Sequence, residues 1–569
     1  MYIDTVPNRK SPPALLLRES RREGKKTVKR TLANITHWPR DVIEAIRRTL
    51  KGDALCSAED LFVVDSSVPH GHVEAVLGTV RRLGVDTLIA SKPCRERDLI
   101  VALMVERLLH PASKLATLRL WPTTTLAEEL GVQDATVGEI YQALDWLLAR
   151  QERIETKLAK RHLAEDALVL YDVSSSSYEG HTCPLVCFGN NRDGKKDLPC
   201  IVYGLLADAA GRPVAVDVYP GNTGDPTTVP DQVKVLRERF GLSHVVLVGD
   251  RGMLTQTQID ALQTYPGLGW ISALRSEDIR ALMDQGALQL SLFDSQRLAE
   301  IVSPDFPGER LMACYNPLLA QDRTRTREEL LAATEKALEK IAKEVARRTR
   351  TPLTKDEIGV KVGKVINRHK VGKHFQWTIG KGRFAYQRKT AAIKRESEPD
   401  GIYVIRTCES AQRLSAQDAV RSYKSLAQVE RAFRCLKGID VRIRPIYHRT
   451  VDHVRAHIFL CMLVYYVDWH MRQALAPLLF HDEELAQLRK TRDPVAPAEA
   501  SASAQEKKRQ RHTPDGIPIH SFDTLPMALS TRCRNHCHCT ADPKKKDFTL
   551  TTEPNPLQRR AFELLGLKP

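Results

Sequence analysis

The chain has 569 residues, 42% of them hydrophobic, and a formal net charge of +16. This length is too great for one ordinary hydrophobic core and predicts about three or four domains. The longest apolar run, residues 458–467, is too short for a membrane span, and no secretory signal is visible at the N-terminus. The basic excess indicates a polyanionic partner, first of all nucleic acid, although a generally basic soluble protein has the same balance.

Most of the twelve cysteines stand singly in apolar contexts, as Cys200, Cys314 and Cys461 do. This usage favours a reducing compartment over a disulfide framework and predicts a cytoplasmic protein. Cysteines and histidines also crowd residues 533–539, but they lack the paired spacing of zinc ligands. A distant group at residues 181–187 could complete such a site, so structural zinc is the weaker interpretation.

The N-terminal third predicts two regions that could contact DNA. Residues 1–38 predict a basic β-hairpin or arm, with nine Lys or Arg against three acids in the first thirty positions. This arm could bind phosphate or form a solvated charged face. Residues 39–165 are helical by their apolar periodicity. Residues 126–141 have the form helix, Gly131 turn, helix, which fits a DNA-binding helix-turn-helix and an ordinary αα-hairpin equally well.

The remainder predicts an α/β core that is interrupted by an insertion. Residues 166–275 form a first core part, with three strands in a meander followed by alternating helix and strand. Residues 276–400, called here the insertion, contain a charged helix and then a strand-rich stretch spotted with aromatic residues. Residues 401–487 form the second core part, 488–516 are predicted to be a disordered linker from their composition, and 517–569 form a C-terminal tail.

Two aspartates directly follow apolar runs that predict buried strands. Asp172 follows Ala-Leu-Val-Leu-Tyr, and Asp250 follows Val-Val-Leu-Val-Gly. An acid at the exit of a buried strand is costly unless it faces a cleft, a cation or a partner. Two such acids on neighbouring strands would repel each other, and a divalent cation would keep both ionised. A capping role explains one aspartate alone, but the pair favours a metal site.

A third acid lies on the predicted helix over residues 416–437. At about 100° per residue, Tyr423, Glu430, Arg434 and Lys437 fall on one stripe beside an apolar stripe. Taken alone, this stripe is typical of an exposed salt-bridged face, because Glu430 and Arg434 form an i,i+4 pair.

Taken together, these features resemble the DDE transposases of the insertion sequence 4 superfamily, most closely the group typified by insertion sequence 1634. The resemblance covers nearly the whole chain. The segments that carry it are LYDVSS at 170–175, YPGNTGD at 219–225, VGDRGM at 248–253, the helix with Glu430, and RPIYH at 444–448. The superfamily helix signature is Tyr, two residues, Arg, three residues, Glu, six residues, Lys. Tyr423, Glu430 and Lys437 fit this spacing, but Leu426 occupies the Arg position.

The resemblance implies a retroviral-integrase-like, RNase H-type core in which Asp172, Asp250 and Glu430 hold two Mg²⁺ ions, for which Mn²⁺ could substitute. It also implies cleavage at the element ends and strand transfer into target DNA. Tyr423 and Lys437 would bind phosphates near the scissile bond, and Arg434 or Arg431 could supply the missing cation. The implied partners are the terminal inverted repeats, target DNA and a second copy of the chain on DNA at the bacterial nucleoid.

Two further residues are DNA-binding candidates. Relatives that cut through a DNA hairpin stack a flipped base on an aromatic ring of such an insertion, and Trp377 is the candidate here. A tryptophan packed in the insertion's own core is the competing interpretation. Arg251 could contact a phosphate or form a salt bridge with a neighbouring carboxylate.

Two other functions stay open at this stage. An RNase H-like nuclease that only hydrolyses DNA would need the same acids and the same metal. A transposase-derived DNA-binding protein without activity is opposed by the presence of all three acids, while Leu426 favours it.

Overall fold

The computed structural model describes residues 1–9, 11–52, 62–180, 182–195, 197–294, 296–539 and 547–568. The N-terminal segment is an antiparallel sheet of three strands, β1 (Tyr2–Val6), β2 (Ala14–Glu23) and β3 (Lys26–Asn34). The predicted two-stranded hairpin is therefore wrong in strand number. A tight turn at Gly24, which has a φ of 60°, pairs Glu23 with Lys26 and folds the basic stretch back as a further strand.

Residues 39–165 are mainly helical, as predicted. Their elements are α1 (Arg40–Leu50), β4 (Phe62–Pro69), α2 (Gly71–Arg82), α3 (Val85–Ile89), α4 (Arg95–Leu109), α5 (Lys114–Leu120), α6 (Leu126–Leu130), α7 (Val137–Leu148) and α8 (Gln151–His162). Helix α6 ends at Gly131 in the left-handed conformation, and α7 begins with a capping box of Thr136 and Glu139. The helix, turn and helix are present, and DNA binding by this pair stays a prediction.

A mixed sheet of eight strands forms the centre of the protein, which confirms the predicted α/β class. Its strands are β5 (Ala167–Ser177), β6 (Cys200–Asp208), β7 (Pro213–Tyr219), β8 (Val245–Val248), β9 (Leu268–Ala273), β10 (Leu298–Ile301), β11 (Arg310–Tyr315) and β14 (Ile402–Thr407). Their order is β10-β11-β14-β9-β8-β5-β6-β7. The pairs β5–β8 and β8–β9 are parallel, and all the others are antiparallel.

Helices pack around this sheet and supply the rest of the core. They are α9 (Val229–Lys234), α10 (Gln256–Gln263), α11 (Ser276–Asp284), α15 (Ala416–Lys424), α16 (Leu426–Lys437) and α17 (Val451–Ala474). Helix α17 is buried along most of its 24 residues. No helix in the described part of the chain is long and apolar enough to cross a membrane.

The insertion contains the predicted charged helix and the predicted strands with aromatic residues, but it is mostly helical, so its description as a strand-rich domain is wrong. It contains α12 (Pro317–Arg347), α13 (Lys355–His369), β12 (Phe375–Gly380), β13 (Arg383–Arg388) and α14 (Thr390–Ser397). Helix α12 alone has 31 residues, while β12 and β13 form only one hairpin. Strands β10 and β11 fall within 276–400 but extend the central sheet, because β11 pairs with β14.

The described residues of the C-terminal part return to the N-terminal region, where β15 pairs with β4 and α20 contacts α2. Its elements are α18 (Leu485–Thr491), α19 (Ala502–Gln510), α20 (Thr524–Ser530), β15 (Cys533–Cys539), β16 (Phe548–Thr551) and α21 (Pro556–Leu564). The prediction of a disordered linker over 488–516 is wrong, because its polar side chains find partners: Ser501 donates to Asp482 at 2.7 Å, and Lys507 to the Ala476 carbonyl at 3.0 Å. Strand β15 lies between β16 and β4.

Candidate active site

The parallel pairing of β5 and β8 brings the two sequence-predicted aspartates to the same level of the sheet. The last paired residues are Leu170 and Val248, and Asp172 and Asp250 each follow two positions later. Neighbouring strands lie about 4.8 Å apart, so Asp172 and the residues that follow β8, including Asp250, lie next to each other at one edge of this strand pair. The prediction that Asp172 ends its strand is wrong, because β5 continues to Ser177 by pairing with β6, with Asp172 opposite Leu205.

The environment of Asp172 favours its protonated form. Its pKa is raised from 3.8 to about 6, first by burial and then by the charges of Asp250 and Glu430. The Val173 amide, which donates to its Oδ1 at 2.8 Å, and the positive charge of Arg192 oppose this shift. The charges of both other candidate carboxylates therefore act on Asp172.

Helices α15 and α16 bring the third acid to the sheet. They meet at Ser425 where the sequence predicts a single helix. One turn before the junction, the hydroxyl of Tyr423 donates a hydrogen bond to Oδ1 of Asp250 at 3.3 Å. Glu430 is exposed on α16, and its charge acts on Tyr423 as well as on Asp172.

Leu426, which departs from the helix signature, lies in the core and is only 8% exposed. An arginine there would have to carry its charge out of an apolar contact region. The cation that acts on Asp172 is Arg192, on the loop between β5 and β6. Its guanidinium donates to the Val173 carbonyl and pairs with Asp225.

Lys437 faces a buried acceptor group next to this site. Its ammonium donates to the Ser175 carbonyl at 2.5 Å and lies 3.2 Å from Asp193. Arg444 also pairs with Asp193. Burial alone would raise the pKa of Asp193, but the hydrogen bond from Arg444, the Ser177 amide and the charge of Lys437 hold it below its usual value.

The remaining candidates lie at the edge of this group or outside it. Arg251 is exposed after Asp250, and its charge acts on Tyr423. Arg434 is exposed on α16. Trp377 lies on β12 of the insertion and is 37% exposed. Among the described residues of the insertion, its small core includes Phe375 and Phe384 but not Trp377.

The donor set at Asp172, Asp250 and Glu430 consists of carboxylate oxygens, the ligands that Mg²⁺ and Mn²⁺ prefer. Burial, and then repulsion from Asp250 and Glu430, raises the pKa of Asp172, and a divalent cation would offset this cost of ionisation. Within the described ranges, no group of three or more His, Cys, Asp or Glu is close enough to hold a metal ion as the side chains stand. The chemistry of the donors fits a metal, although the three carboxylates do not form a metal-binding group in this arrangement of the side chains.

The cysteines and histidines of residues 533–539 also form no group that could hold a metal ion, within the part of the chain described here. Residues 533–539 form the single strand β15, whose side chains alternate between two faces, and His538 pairs with Asp65 at 2.7 Å. His181, from the proposed second half, lies outside the described residues.

Sequence reasoning missed Arg192 and Asp193. The available signal was the run Asn190-Asn191-Arg192-Asp193-Gly194, a polar turn between two apolar strands. Turn chemistry explains Asn, Asp and Gly there, but it does not explain the arginine.

Two family models match parts of the chain. Residues 189–467 match the family model described as "Transposase DDE domain", a range that contains Asp250 and Glu430 and begins after Asp172. Residues 3–59 match the model described as "IS1634 family transposase, N-terminal domain". No curated protein matches the chain.

One solved structure is a cryo-EM structure of a piggyBac transposase synaptic complex with hairpin DNA. It is 10% identical to this chain, and the match covers 81% of this chain and 78% of that chain with a TM-score of 0.31. A similarity this low supports no argument about this chain.

Proposed function

Because the chain belongs to the DDE transposases of the IS1634 group, we propose that it cuts DNA at the ends of an insertion element and joins them to target DNA. In this proposal Asp172, Asp250 and Glu430 are the catalytic carboxylates. One observation carries the assignment: β5 and β8 pair in parallel up to two residues before Asp172 and Asp250, and α16, which carries Glu430, packs against β5.

The order of the central sheet supports an RNase H-like core. Read from the edge, β7, β6 and β5 are antiparallel neighbours, and β8 and β9 then continue in parallel with β5. This is the strand order that the resemblance implies for a retroviral-integrase-like core. Asp172 and Asp250 belong to the two central parallel strands, and Glu430 comes from a helix packed against β5.

Asp172, Asp250 and Glu430 would hold divalent cations, with Mg²⁺ as the first candidate. When bound, such cations would polarise the attacking water or 3′-hydroxyl and stabilise the leaving oxygen. The cation requirement follows from Asp172, since burial first, and then the charges of Asp250 and Glu430, make this acid harder to ionise, and a bound cation would offset that cost.

The surrounding residues position these acids. Tyr423 directs a hydroxyl at Asp250, and Arg192 lowers the cost of ionising Asp172. The family signature places Lys437 on DNA, but here we assign it a structural role. It contacts both the Ser175 carbonyl of β5 and Asp193, and so fixes the loop that carries Arg192 against β5. Arg251 and Arg434 are exposed beside the acids and available to DNA phosphates.

DNA is the proposed partner, as element ends and as target. The basic strands β2 and β3, exposed over most of their length, would add contacts to the phosphate backbone. A homodimer on DNA and a cytoplasmic location at the nucleoid are part of the same proposal.

The test uses purified full-length chain, Mg²⁺ and DNA carrying the flanking element ends, with products mapped to the nucleotide. Asp172→Ala, Asp250→Ala and Glu430→Ala should each reduce cleavage by about 100-fold or more and leave DNA binding intact. Asp260→Asn, an exposed acid on α10, is the matched control and should cleave normally. Full cleavage by the Asp172 variant would refute the site.

A precut substrate with a free 3′-hydroxyl separates transposition from simple hydrolysis. Joined products support strand transfer, whereas cleavage without joining supports the rival nuclease. An intact wild-type chain that binds DNA without either reaction supports the inactive DNA-binding protein.

A further inference from the structure

Three arginines from two separate segments meet at the outer side of the helix that carries Glu430. Arg431 follows Glu430 on α16, while Arg489 lies in α18 and Arg492 just after it. The charges of Arg431 and Arg492 both act on Arg489, whose pKa is lowered, first by burial and then by these two neighbours. We call these three residues the arginine cluster.

Two hydrogen bonds fix the position of the cluster beside the catalytic helices. Arg421 of α15 donates to the Arg492 carbonyl at 3.2 Å, and Lys424 donates to the Pro494 carbonyl at 2.5 Å. The segment after α18 is thereby attached to α15, which leads directly into α16. The cluster is thereby attached to the helix pair that carries Glu430.

Within the described residues, the side chains of the cluster form no hydrogen bond or ion pair. Neighbouring arginines behave differently, because Arg421 pairs with Asp418 at 2.8 Å and Arg472 with Asp440 at 2.7 Å. Other arginines in this part of the fold therefore form ion pairs with acids, whereas those of the cluster do not.

The acids nearest in sequence to the cluster are engaged elsewhere. Asp482 accepts hydrogen bonds from Ser501, Glu483 pairs with Lys507, and Glu484 accepts from Ser503 at 2.7 Å. The remaining nearby acid, Asp493, accepts a hydrogen bond from the Val495 amide at 2.9 Å. No acid of the described residues forms an ion pair with the cluster, and the exposed Lys490 of α18 adds a further positive charge.

Like charges brought together without counter-ions destabilise a fold, so such a patch indicates a polyanion that binds there. Guanidinium groups match phosphate geometry through paired N–H donors. We infer that Arg431, Arg489 and Arg492 form a binding surface for the phosphate backbone of duplex DNA, extending from Glu430 across α18. The inference rests on the proposed function, since it names where the DNA presented to the acids continues.

The test compares the full-length chain with an Arg431→Gln, Arg489→Gln, Arg492→Gln triple variant in binding to duplex DNA over a range of salt concentrations. Each lost phosphate contact should reduce the slope of log affinity against log salt by about 1, and thus by about 3 in the triple variant, with equal weakening for all sequences. The control removes the same charge from exposed, paired arginines: Arg325→Gln, Arg395→Gln and Arg560→Gln.

A second measurement does not depend on variants. Duplex DNA should protect the amine of Lys490 from an acylating reagent in the wild-type chain, read out by mass spectrometry. A triple variant that keeps the wild-type slope, or a Lys490 that DNA leaves unprotected, would overturn the surface.

The outcomes distinguish this inference from the proposed function. If the triple variant binds like wild type while Asp172→Ala abolishes cleavage, the surface is refuted and the proposed function stands. If the triple variant binds weakly but cleaves at the normal rate at saturating DNA, both stand. If the wild-type chain binds DNA through the cluster but never cleaves it, the surface stands and the proposed function fails.

Discussion

The hydroxyl of Tyr423 lies 3.3 Å from Oδ1 of Asp250 and donates a hydrogen bond to it. This contact joins the helix that leads to Glu430 with the loop after β8, two elements separated in sequence by the whole insertion. Burial first, and then the negative charge of Asp250, raise the pKa of Tyr423, so the phenol stays a hydrogen-bond donor at all physiological pH values. Asp250 is therefore oriented by a donor that keeps its proton.

Replacing Tyr423 with phenylalanine removes this donor and leaves the ring in place. We expect a roughly 10- to 100-fold loss of cleavage at limiting Mg²⁺, the size of effect that partners of metal ligands have. Raising the Mg²⁺ concentration should restore part of the rate. The control is Tyr265→Phe, an exposed tyrosine between α10 and β9. Equal rates for Tyr423→Phe and wild type at every Mg²⁺ concentration would show that the hydrogen bond does not orient Asp250.

The raised pKa of Asp172 predicts that the free energy of unfolding of the metal-free protein depends on pH. Its folded pKa of about 6 exceeds the ordinary value of 3.8, so the folded state binds its proton more tightly than the unfolded state. Ionisation of Asp172 consequently destabilises the fold as pH rises from 3.8 to about 6, and the full cost remains above 6.

Asp172→Asn should therefore melt on the order of 2 °C higher than wild type at pH 7.5 in EDTA. This difference should disappear near pH 4, and Mg²⁺ at pH 7.5 should stabilise wild type but not the variant. Thermal unfolding followed by circular dichroism measures all three conditions. A wild-type chain as stable as the variant at pH 7.5 without metal would contradict the raised pKa.

Arg192 is predicted to set the ionisation of Asp172 in the active protein. Because its charge lowers the pKa of Asp172, Arg192→Gln should raise that pKa and move the acidic limb of the cleavage-rate profile to higher pH. Arg192→Lys keeps the charge and should move the limb less. A profile unchanged in position, with only a lower plateau, would instead assign Arg192 a purely structural role through Asp225 and the Val173 carbonyl.

The difference between Arg192 and the aspartates explains how far the sequence could predict the site. Asp172 and Asp250 follow apolar runs, so strand burial alone places them on a central sheet. Glu430 follows from helical periodicity together with the family signature. Arg192 reaches Asp172 only because the loop between β5 and β6 folds back along β5, where the Asn190 carbonyl accepts from the Ser175 hydroxyl at 2.7 Å. No local pattern predicts such a return.

Composition misled the prediction where polar side chains find tertiary partners. The segment 488–516 is rich in Ala, Pro, Lys and Ser and has few apolar residues to bury, yet Asp482 and Ala476 provide acceptors that hold it. In the insertion, the aromatic residues correctly indicated strands, but the charged residues of α13 concealed the apolar stripe by which this second helix packs on the hairpin. In both cases the deciding contacts are distant in sequence.

Trp377 is the candidate for stacking on a flipped or unpaired base, and its position makes this role testable. Its ring is 37% exposed and lies outside the insertion's core, so its removal should lower the melting temperature less than removal of Phe375, which is 1% exposed. If it stacks on an unpaired base, Trp377→Ala should weaken binding of element-end DNA with one flipped or unpaired base by about 1–3 kcal/mol, and Trp377→Phe should retain most of the affinity. Fluorescence of 2-aminopurine at that base should be quenched by wild type and not by Trp377→Ala, with Tyr265→Ala as the exposed aromatic control. Equal quenching by wild type and Trp377→Ala would exclude base stacking on this ring, and its exposure would then reflect only the open face of the β12–β13 hairpin.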